Sequence, residues 1–215
     1  MTKSKIIYLL PPLLFLFVGT ANAVDVAIRK DLDSIKVLHH GKTVTIMRNQ
    51  DPEHTIDPAY AKTSRKCPPF CIQPIKIADG VETIGELEVL DYLDRIYHGD
   101  DSIVVIDSRT PDWVKNGTIP GSINIPWTTL DPDAGADPFK IEDILRDKFG
   151  VKKEEGLWDF SHAKTLVLFC NGLWCGQSPT NIRTLLRFGY PAEKLKWYRG
   201  GMQDWQILGL TVVKD

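Results

Sequence analysis

The stretch Thr165-Leu-Val-Leu-Phe-Cys-Asn-Gly-Leu-Trp-Cys-Gly-Gln-Ser-Pro179 places a cysteine between a short apolar run and the signals of a helix start. Its first five residues predict a buried strand. Ser178 and Pro179 predict the beginning of a helix, with the serine as N-cap and the proline at the first helical position. Backbone N–H groups that enter a helix bind anions, and the helix dipole favours negative charge there. The stretch therefore predicts an anion-binding loop that contains Cys170.

The cysteine of this loop is the strongest candidate for a nucleophile. A thiol at such a place should ionise more readily than a free cysteine, whose pKa is about 8.5. The alternative is a small buried residue that ends a strand. The neighbouring glycines, Gly172 and Gly176, and a second thiol favour the reactive interpretation. We therefore take Cys170 and Cys175 as candidate catalytic residues.

The N-terminus has the pattern of an export signal. Two lysines among the first five residues precede an apolar run from Ile6 to Val18 and a small-residue site, Ala21-Asn22-Ala23. We expect residues 1–23 to be a cleaved signal peptide and the mature chain to begin at Val24. A membrane anchor is disfavoured, because the run contains two prolines and is shorter than the roughly 20 residues of a spanning helix. The sequence predicts a periplasmic or secreted protein with no stable membrane insertion after cleavage.

Length and charge limit the remaining possibilities. The chain has 215 residues, so that removal of a signal leaves room for one core and an extension. We divide it into an N-terminal extension, residues 24–80, and a main domain, residues 81–215. The 26 basic and 28 acidic residues make the chain nearly neutral. This balance gives no electrostatic basis for binding nucleic acid or an anionic membrane.

The four cysteines form two closely spaced pairs, Cys67 with Cys71 and Cys170 with Cys175. An even count in an oxidising compartment usually indicates disulfides, but four cysteines are too few for a disulfide scaffold in this chain. Redox or sulfur chemistry is the sharper hypothesis. The first pair could be a structural disulfide, a redox pair, or partners of the loop thiols. Zinc also takes four cysteines, but these spacings are longer than the usual knuckle and the loop cysteine is needed as nucleophile, so we expect no metal.

The extension differs in pattern from the main domain. Residues 35–47 contain two β-prone runs around His40-Gly41 and predict a hairpin. The stretch that follows is rich in proline, which excludes a long helix. Because the extension is too small to hold a core of its own, we expect it to pack on the main domain.

The main domain alternates between strand and helix patterns. Thr83 with Glu86 predicts a capping box at the start of its first helix. The residues expected on the buried face of that helix are Leu87, Leu90, Leu93 and Tyr97. Ile103–Ile106 predicts a buried strand that ends at Asp107. Alternating strands and helices indicate an α/β fold with a parallel sheet covered on both faces, whose sites form at the carboxyl ends of strands, where Cys170 also lies.

At these residues the main domain resembles the rhodanese-like domain family. Val104-Val-Ile-Asp-Ser-Arg109 and Gly117-Thr-Ile-Pro-Gly-Ser-Ile-Asn-Ile-Pro126 look like its first signature, and Tyr198-Arg-Gly-Gly-Met-Gln-Asp-Trp205 looks like its last. The resemblance implies a rhodanese-like α/β sandwich and a cysteine that carries a persulfide, as in an exported single-domain sulfurtransferase. Asp107 and Arg109 are expected to pin the loop after their strand rather than to catalyse.

The residues agree with sulfur transfer. A thiolate attacks the outer sulfur of a donor and leaves Cys170 as an anionic persulfide, which the N–H groups of Asn171 to Gly176 can stabilise. The residues expected to bind substrate are Asn171, Gly172, Leu173, Trp174, Gly176 and Arg199. We expect no cofactor. The expected partners are a small sulfur donor and a thiol acceptor, or a protein redox partner.

The loop departs from that of simple sulfurtransferases in two ways. It is about two residues longer, as in rhodanese-like phosphatases and arsenate reductases, and no arginine lies between Cys170 and Ser178. Phosphoryl chemistry loses its main charge stabiliser without such an arginine. The use of thiosulfate is in doubt for the same reason, unless Arg199 replaces the missing side chain. A neutral persulfide donor or a protein donor fits better.

Two other classes of function remain open. In the first, Cys170 and Cys175 are the working couple of an exported thiol–disulfide redox protein that carries no sulfur. In the second, the domain is an inactive binding module, which an unreactive Cys170 would indicate. Within the sulfurtransferase hypothesis, we expect Cys175 to resolve the persulfide by attacking it and releasing sulfide.

Overall fold

The computed structural model describes residues 26–214. The expected signal peptide, residues 1–23, and the expected mature start at Val24 lie outside the described residues. Within the described part of the chain, no helix is both long enough and apolar enough to cross a membrane.

The centre of the molecule is a sheet of five parallel strands, which confirms the expected α/β class. In spatial order these strands are β3 (Glu82–Ile84), β9 (Leu195–Tyr198), β8 (Thr165–Phe169), β4 (Ile103–Asp107) and β5 (Ile123–Asn124). Successive side chains of a strand point to opposite faces of a sheet. In β8, Val167 and Phe169 enter one apolar core, whereas Leu166 and Leu168 enter the other. This burial on both faces explains why the run is apolar at every position.

Helices cover both faces of the sheet. They are α1 (Pro58–Ala61), α2 (Glu86–Tyr97), α3 (Pro111–Val114), α4 (Pro138–Asp143), α5 (Gln177–Arg187) and α6 (Gly201–Ile207). A π-helical turn, Ile144–Lys148, continues α4, and a small hairpin is formed by β6 (Lys152–Glu154) and β7 (Leu157–Asp159). α2 and α6 pack in one core with the extension, and α4 and α5 pack in the other.

The extension contains the expected hairpin, β1 (Ser34–His39) and β2 (Lys42–Met47), in antiparallel register. His40 and Gly41 form its two-residue turn, both with positive φ, which suits the twist of a tight hairpin. Ile35, Val37 and Ile46 are buried in the same core as α2, with Tyr60 of α1 beside them. The extension therefore completes one of the two cores.

The predicted start of α2 is wrong. Gly85 is the N-cap, and its N–H donates to the carboxylate of Glu88 at 2.9 Å. Thr83 instead lies in β3, opposite Trp197, where a β-branched residue fits a strand. On this helix Leu90 and Leu93 are buried as expected, whereas Leu87 is 46% exposed and Val89 is buried.

Candidate active site

Three of the residues singled out in the sequence leave the sheet at the same edge. The parallel register aligns Asp107 with Phe169 and Phe169 with Tyr198. Cys170 and Arg199 therefore follow neighbouring strand ends, beside Asp107. This confirms that the loop cysteine lies at the carboxyl end of a central strand.

The segment from residue 170 to residue 178, here called the cysteine loop, is held by backbone hydrogen bonds. The N–H of Cys175 donates to the carbonyl of Gly172 at 2.9 Å. The N–H of Met202 donates to the carbonyl of Cys170 at 2.9 Å, which ties the loop to α6. Gly201 makes this contact possible, because its φ is +56° and a Cβ there would lie 2.4 Å from the Cys170 carbonyl oxygen.

The Cys170 thiol is 2% exposed and is surrounded by hydrogen-bond donors. The Ser178 hydroxyl donates to its sulfur at 3.1 Å. The indole N–H of Trp197 donates to that hydroxyl oxygen at 3.1 Å, which leaves the hydroxyl proton directed at the sulfur. These contacts stabilise a thiolate, and the Arg109 guanidinium also interacts electrostatically with Cys170.

The pKa of Cys170 reflects these contacts. Burial by itself raises the pKa of the thiol. Hydrogen bonds from the Cys175 thiol and the Ser178 hydroxyl oppose burial, and the backbone N–H groups of Ser178 and Asn171 add to them. The result is a pKa of about 7, so that a large fraction of Cys170 is ionised at neutral pH.

Cys175 has the opposite character. Burial, its hydrogen bond to Cys170 and the negative charge of Cys170 raise the pKa of Cys175 well above the usual value. It therefore keeps its proton at neutral pH and donates it to the Cys170 sulfur. Its sulfur also contacts the Asn171 amide nitrogen, at 3.9 Å, and the Gln177 amide oxygen, at 3.8 Å. The loop thus holds one acidic thiol and one protonated thiol in contact.

Two details of the predicted loop are wrong. The helix α5 begins at Gln177 with Gly176 as N-cap, so Ser178 lies inside the first turn. Its hydroxyl binds the Cys170 sulfur instead of a helix N–H. In addition, the N–H donors at Cys170 come from Asn171 and Ser178, while the N–H of Cys175 is occupied within the loop.

A cavity of about 390 Å³ opens beside the cysteine loop. Aromatic side chains dominate its walls, and none of its lining residues is charged. The lining residues are Pro69, Phe70, Trp113, Trp127, Asn171, Trp174, Cys175, Gly176, Gln177 and Thr180. Asn171 is 1% exposed, and its side-chain oxygen has no hydrogen-bond partner within residues 26–214. The cavity therefore offers apolar surface, and one unpartnered acceptor is buried in its wall.

The indole of Trp174 joins the cysteine loop to the rest of the site. Its N–H donates to the side-chain oxygen of Gln203 at 2.9 Å. The Arg65 guanidinium lies over its ring at 3.8 Å, and the Phe70 ring meets it edge-on at 5.5 Å. Arg65 and Phe70 belong to residues 65–74, here called the extension loop.

The extension loop also contacts the backbone of the cysteine loop. The N–H of Gln73 donates to the carbonyl of Leu173 at 2.8 Å. The Arg199 guanidinium donates to the Gln73 carbonyl at 2.7 Å and to the Pro74 carbonyl at 3.1 Å. Arg199 is therefore not among the residues that line the cavity, and the structure uses it to hold the extension loop. Its expected role in substrate binding is not supported by this placement.

Sequence reasoning missed the contributions of Arg65, Phe70 and Gln73. They lie about 100 residues before the cysteine loop, and no local pattern pairs them with it. Cys67 and Cys71, the one feature of this segment that the sequence singled out, are joined in a disulfide. A four-cysteine zinc site is therefore not formed. No three His, Cys, Asp or Glu side chains between residues 26 and 214 are grouped so that they could hold a metal ion.

Asp107 and Arg109 form a buried ion pair at 2.6 Å, as expected for residues that pin a loop. The Arg109 guanidinium also donates to the carbonyl of Gly117 at 2.7 Å and to the hydroxyl of Tyr60 at 2.7 Å. Every N–H donor of the Arg109 guanidinium is bonded to a protein acceptor. This arginine therefore holds the segments around the strand end in place and has no donor left for a substrate. Tyr60 extends the same network into the extension.

Comparisons with known proteins bear on the main domain. A family profile for the rhodanese-like domain matches residues 89–208. No curated protein sequence matches the chain.

Several solved structures resemble part of the chain. A protein from Bacillus halodurans is 19% identical, over 62% of this chain and 77% of that chain, with a TM-score of 0.44. A rhodanese-related protein from Thermoplasma volcanium is 22% identical, over 62% and 99%, with a TM-score of 0.36. A thiosulfate sulfurtransferase from Pseudomonas aeruginosa is 19% identical, over 62% and 20%, with a TM-score of 0.41.

Proposed function

Because the chain belongs to the rhodanese-like domain family, we propose that it is a sulfurtransferase that carries sulfane sulfur as a persulfide on Cys170. The observation that carries this proposal is the environment of the Cys170 thiol. Its pKa is about 7, and hydroxyl, thiol and backbone donors surround its sulfur. The same donors stabilise a persulfide, which is also anionic.

The proposed transfer has two steps. The Cys170 thiolate attacks the outer sulfur of a donor R–S–SH, which forms a new S–S bond and expels R–S⁻. Cys170 then carries the outer sulfur as an anionic persulfide, and the proton of that sulfur passes to R–S⁻. A thiolate acceptor attacks that outer sulfur, which restores the Cys170 thiolate. No oxidant or reductant is consumed in this cycle.

The cavity supports an uncharged or organic donor over an inorganic dianion. Its lining residues carry no charge, and four of its walls are the aromatic rings of Phe70, Trp113, Trp127 and Trp174. An oxyanion such as thiosulfate would lose hydration against these rings, which is costly, and the nearby guanidinium of Arg65 lies over the Trp174 ring and is not among the lining residues. The apolar part of an organic persulfide would instead bury its surface against the rings.

A thiol–disulfide redox protein is the second candidate. The contact between the Cys170 and Cys175 thiols favours it, because an acidic thiol beside a protonated one is the arrangement of a reactive dithiol. The two candidates differ in whether sulfur is ever bound. The low pKa of Cys170 is an argument against an inactive binding module. Phosphatase or arsenate reductase chemistry is disfavoured, since the cysteine loop contains no arginine.

We further propose that the protein works in the periplasm or outside the cell. The signal pattern of residues 1–23 and the disulfide between Cys67 and Cys71 support this location, because disulfides persist in oxidising compartments. N-terminal sequencing of exported protein should begin at Val24. A soluble cytosolic protein with an intact Met1 would contradict this location.

Transfer of sulfur from an organic persulfide to a thiol acceptor tests the proposed activity. Wild-type protein should transfer sulfur, and Cys170→Ser should lose at least about a thousandfold in rate, as expected for removal of a nucleophile. Cys175→Ala is the matched control and should still accept sulfur. Full activity in Cys170→Ser would place the chemistry elsewhere, and faster turnover with thiosulfate than with the organic donor would contradict the substrate class.

A further inference from the structure

The two loops that carry the cysteine pairs line one cavity. Pro69 and Phe70, which stand between Cys67 and Cys71 in the sequence, line the cavity together with Cys175. The structure holds the extension pair as a disulfide and the loop pair as free thiols. A disulfide and a pair of free thiols are therefore carried by two segments that line the same cavity.

The two pairs differ in their access to solvent. Cys170 is 2% exposed and Cys175 is 4% exposed, whereas Cys67 is exposed and Cys71 is half-buried. Thiol–disulfide exchange requires direct approach of a thiolate to a sulfur atom. A protein reductant can reach Cys67, but it cannot dock on the two buried sulfurs without opening the loop. The exposed pair is therefore the accessible one.

Hydrogen bonds hold Cys71 next to the cysteine loop. Its carbonyl accepts from the Gln73 side chain at 2.9 Å, and the Gln73 N–H donates to the Leu173 carbonyl at 2.8 Å. The side-chain amide nitrogen of Gln73 lies 3.8 Å from the position that a Cβ on Gly176 would occupy. Cys71 is thus two residues from an anchor on the loop that carries Cys175.

We propose that Cys67 and Cys71 form a redox relay that returns the buried pair to its dithiol form. The relay rests on the proposed function, because its substrate is the Cys170–Cys175 disulfide that remains after Cys175 resolves the persulfide and releases sulfide. The co-reactant is an external dithiol, which first reduces the Cys67–Cys71 disulfide and is itself oxidised to a disulfide.

The exchange proceeds in two balanced steps. The Cys71 thiolate attacks the Cys175 sulfur, which forms a Cys71–Cys175 bond and breaks the Cys170–Cys175 bond. Cys170 leaves as a thiolate. The Cys67 thiolate then attacks the Cys71 sulfur, which forms the Cys67–Cys71 disulfide and releases Cys175. Two electrons and two protons move from the exposed pair to the buried pair.

The difference in pKa between Cys170 and Cys175 determines which sulfur of their disulfide is attacked. A sulfur with a lower pKa leaves faster, so a disulfide between the two loop cysteines should open with Cys170 as leaving group. The attacked sulfur is then Cys175, which is the one that lines the cavity. The end point is the arrangement of the structure, with the exposed pair oxidised and the buried pair reduced.

Trapping of the mixed disulfide tests the relay. The variant Cys67→Ser with Cys170→Ser leaves only Cys71 and Cys175, which diamide should join within one molecule in most of the protein. In the matched control, Cys71→Ser with Cys170→Ser, the remaining Cys67 and Cys175 should link at least tenfold more slowly. Non-reducing peptide mapping of monomeric protein identifies the linked cysteines. No link between Cys71 and Cys175, or equal linkage in the control, would overturn the relay.

A second measurement separates the relay from the proposed function. Cys67→Ser with Cys71→Ser should form the Cys170 persulfide at the wild-type rate, which also shows that the site is folded. With reduced thioredoxin as the only reductant, recovery of free Cys170 after sulfide release should fall at least tenfold. Unchanged recovery would overturn the relay and leave sulfur transfer intact. If wild-type protein forms no persulfide on Cys170, the proposed function itself is contradicted.

Discussion

The cysteine loop and the extension loop each carry two cysteines and line the same cavity, but the first holds free thiols and the second a disulfide. In the cysteine loop both thiols are buried, and a network from Trp197 through Ser178 lowers the pKa of Cys170. In the extension loop the sulfurs are bonded to each other and one cysteine is exposed. Burial with directed donors thus lowers the pKa of a thiol, whereas the exposed connecting segment holds its two cysteines in a disulfide.

The comparison also concerns architecture. The cysteine loop is fixed by the sheet edge and by α6, within the part of the chain that the family profile covers. The extension loop lies outside residues 89–208 and is held by contacts from Arg65, Gln73 and Arg199. We therefore expect changes in the first region to remove chemistry, and changes in the second to alter selectivity, recovery or stability.

Among changes outside the nucleophile itself, the largest effect is expected from Gly201→Ala, which disrupts the packing of α6 against the cysteine loop. A Cβ there would lie 2.4 Å from the Cys170 carbonyl oxygen, and its φ of +56° adds about 1–2 kcal/mol of strain. Sulfur transfer should fall more than a hundredfold. Gly41→Ala is the control, because its φ is also positive but no atom lies within 4 Å of the added Cβ. Activity assays and thermal unfolding measure both, and near-wild-type activity in Gly201→Ala would show that the close contact is not needed.

Ser178→Ala should separate ionisation from folding. The reaction rate of Cys170 with iodoacetamide should rise as pH increases through about 7, because the thiolate is the reactive form. A hydrogen bond to a charged group contributes about 1.5–3 kcal/mol, so its loss should move the midpoint upward by roughly one to two pH units. At pH values below the wild-type midpoint, Ser178→Ala should therefore react about tenfold or more slowly than wild type.

The control for this profile is Ser122→Ala, a buried serine whose hydroxyl binds the Ile119 carbonyl and contacts neither cysteine. Its pH profile should match wild type. Ser178→Ala with an unshifted midpoint would show that the hydroxyl does not stabilise the thiolate.

Cys175→Ala tests whether the second loop thiol resolves the persulfide. Without the attacking thiol, the Cys170 persulfide should last several times longer and release less sulfide. The same change removes the thiol hydrogen bond to Cys170, so its pKa should rise. Persulfide lifetime is followed by mass spectrometry and sulfide by trapping. Equal lifetimes in wild type and variant would reduce Cys175 to a packing and hydrogen-bonding residue.

Arg65→Ala should have the smallest effect, because it acts on the extension loop. Stacking of a guanidinium on an indole contributes about 0.5–1 kcal/mol at an exposed site and about 2 kcal/mol when desolvated. The Tm should fall by a few degrees, while the pH profile of Cys170 stays unchanged. Arg95→Ala, which removes a cation–π contact with Tyr92 and an ion pair with Asp100, is the control for the loss of an arginine away from the cavity. A shifted Cys170 profile in Arg65→Ala would show that the two loops are electrostatically coupled.

The two regions also differ in how well the sequence predicts them. The strand, the loop and the position of Cys170 follow from local patterns, since an apolar run, glycines and a helix start are contiguous. The hairpin around His40-Gly41 is local in the same sense. The contacts of Arg65 and Phe70 with Trp174 join residues about 100 positions apart, and no periodic pattern indicates them.

The errors have a common physical cause. Ser178 and Thr83 both satisfy local rules for capping a helix, but tertiary contacts assign them other partners. The Ser178 hydroxyl accepts a hydrogen bond from Trp197 and donates one to Cys170, and Thr83 pairs with the neighbouring strand. Arg199 follows a strand end as expected, yet its guanidinium donates to the carbonyl of Gln73 and not to the cavity. Local sequence therefore locates the site, and the packing of the extension decides which groups face the cavity.

The most direct test of the central claim is to locate the sulfur after the protein reacts with an organic persulfide. Peptide mapping by mass spectrometry, with alkylation of free thiols, should find one added sulfur on the peptide that contains Cys170. Cys170→Ser should carry none. A sulfur found on Cys175 or the extension cysteines, or a Cys170–Cys175 disulfide formed without any persulfide or released sulfide, would contradict the account.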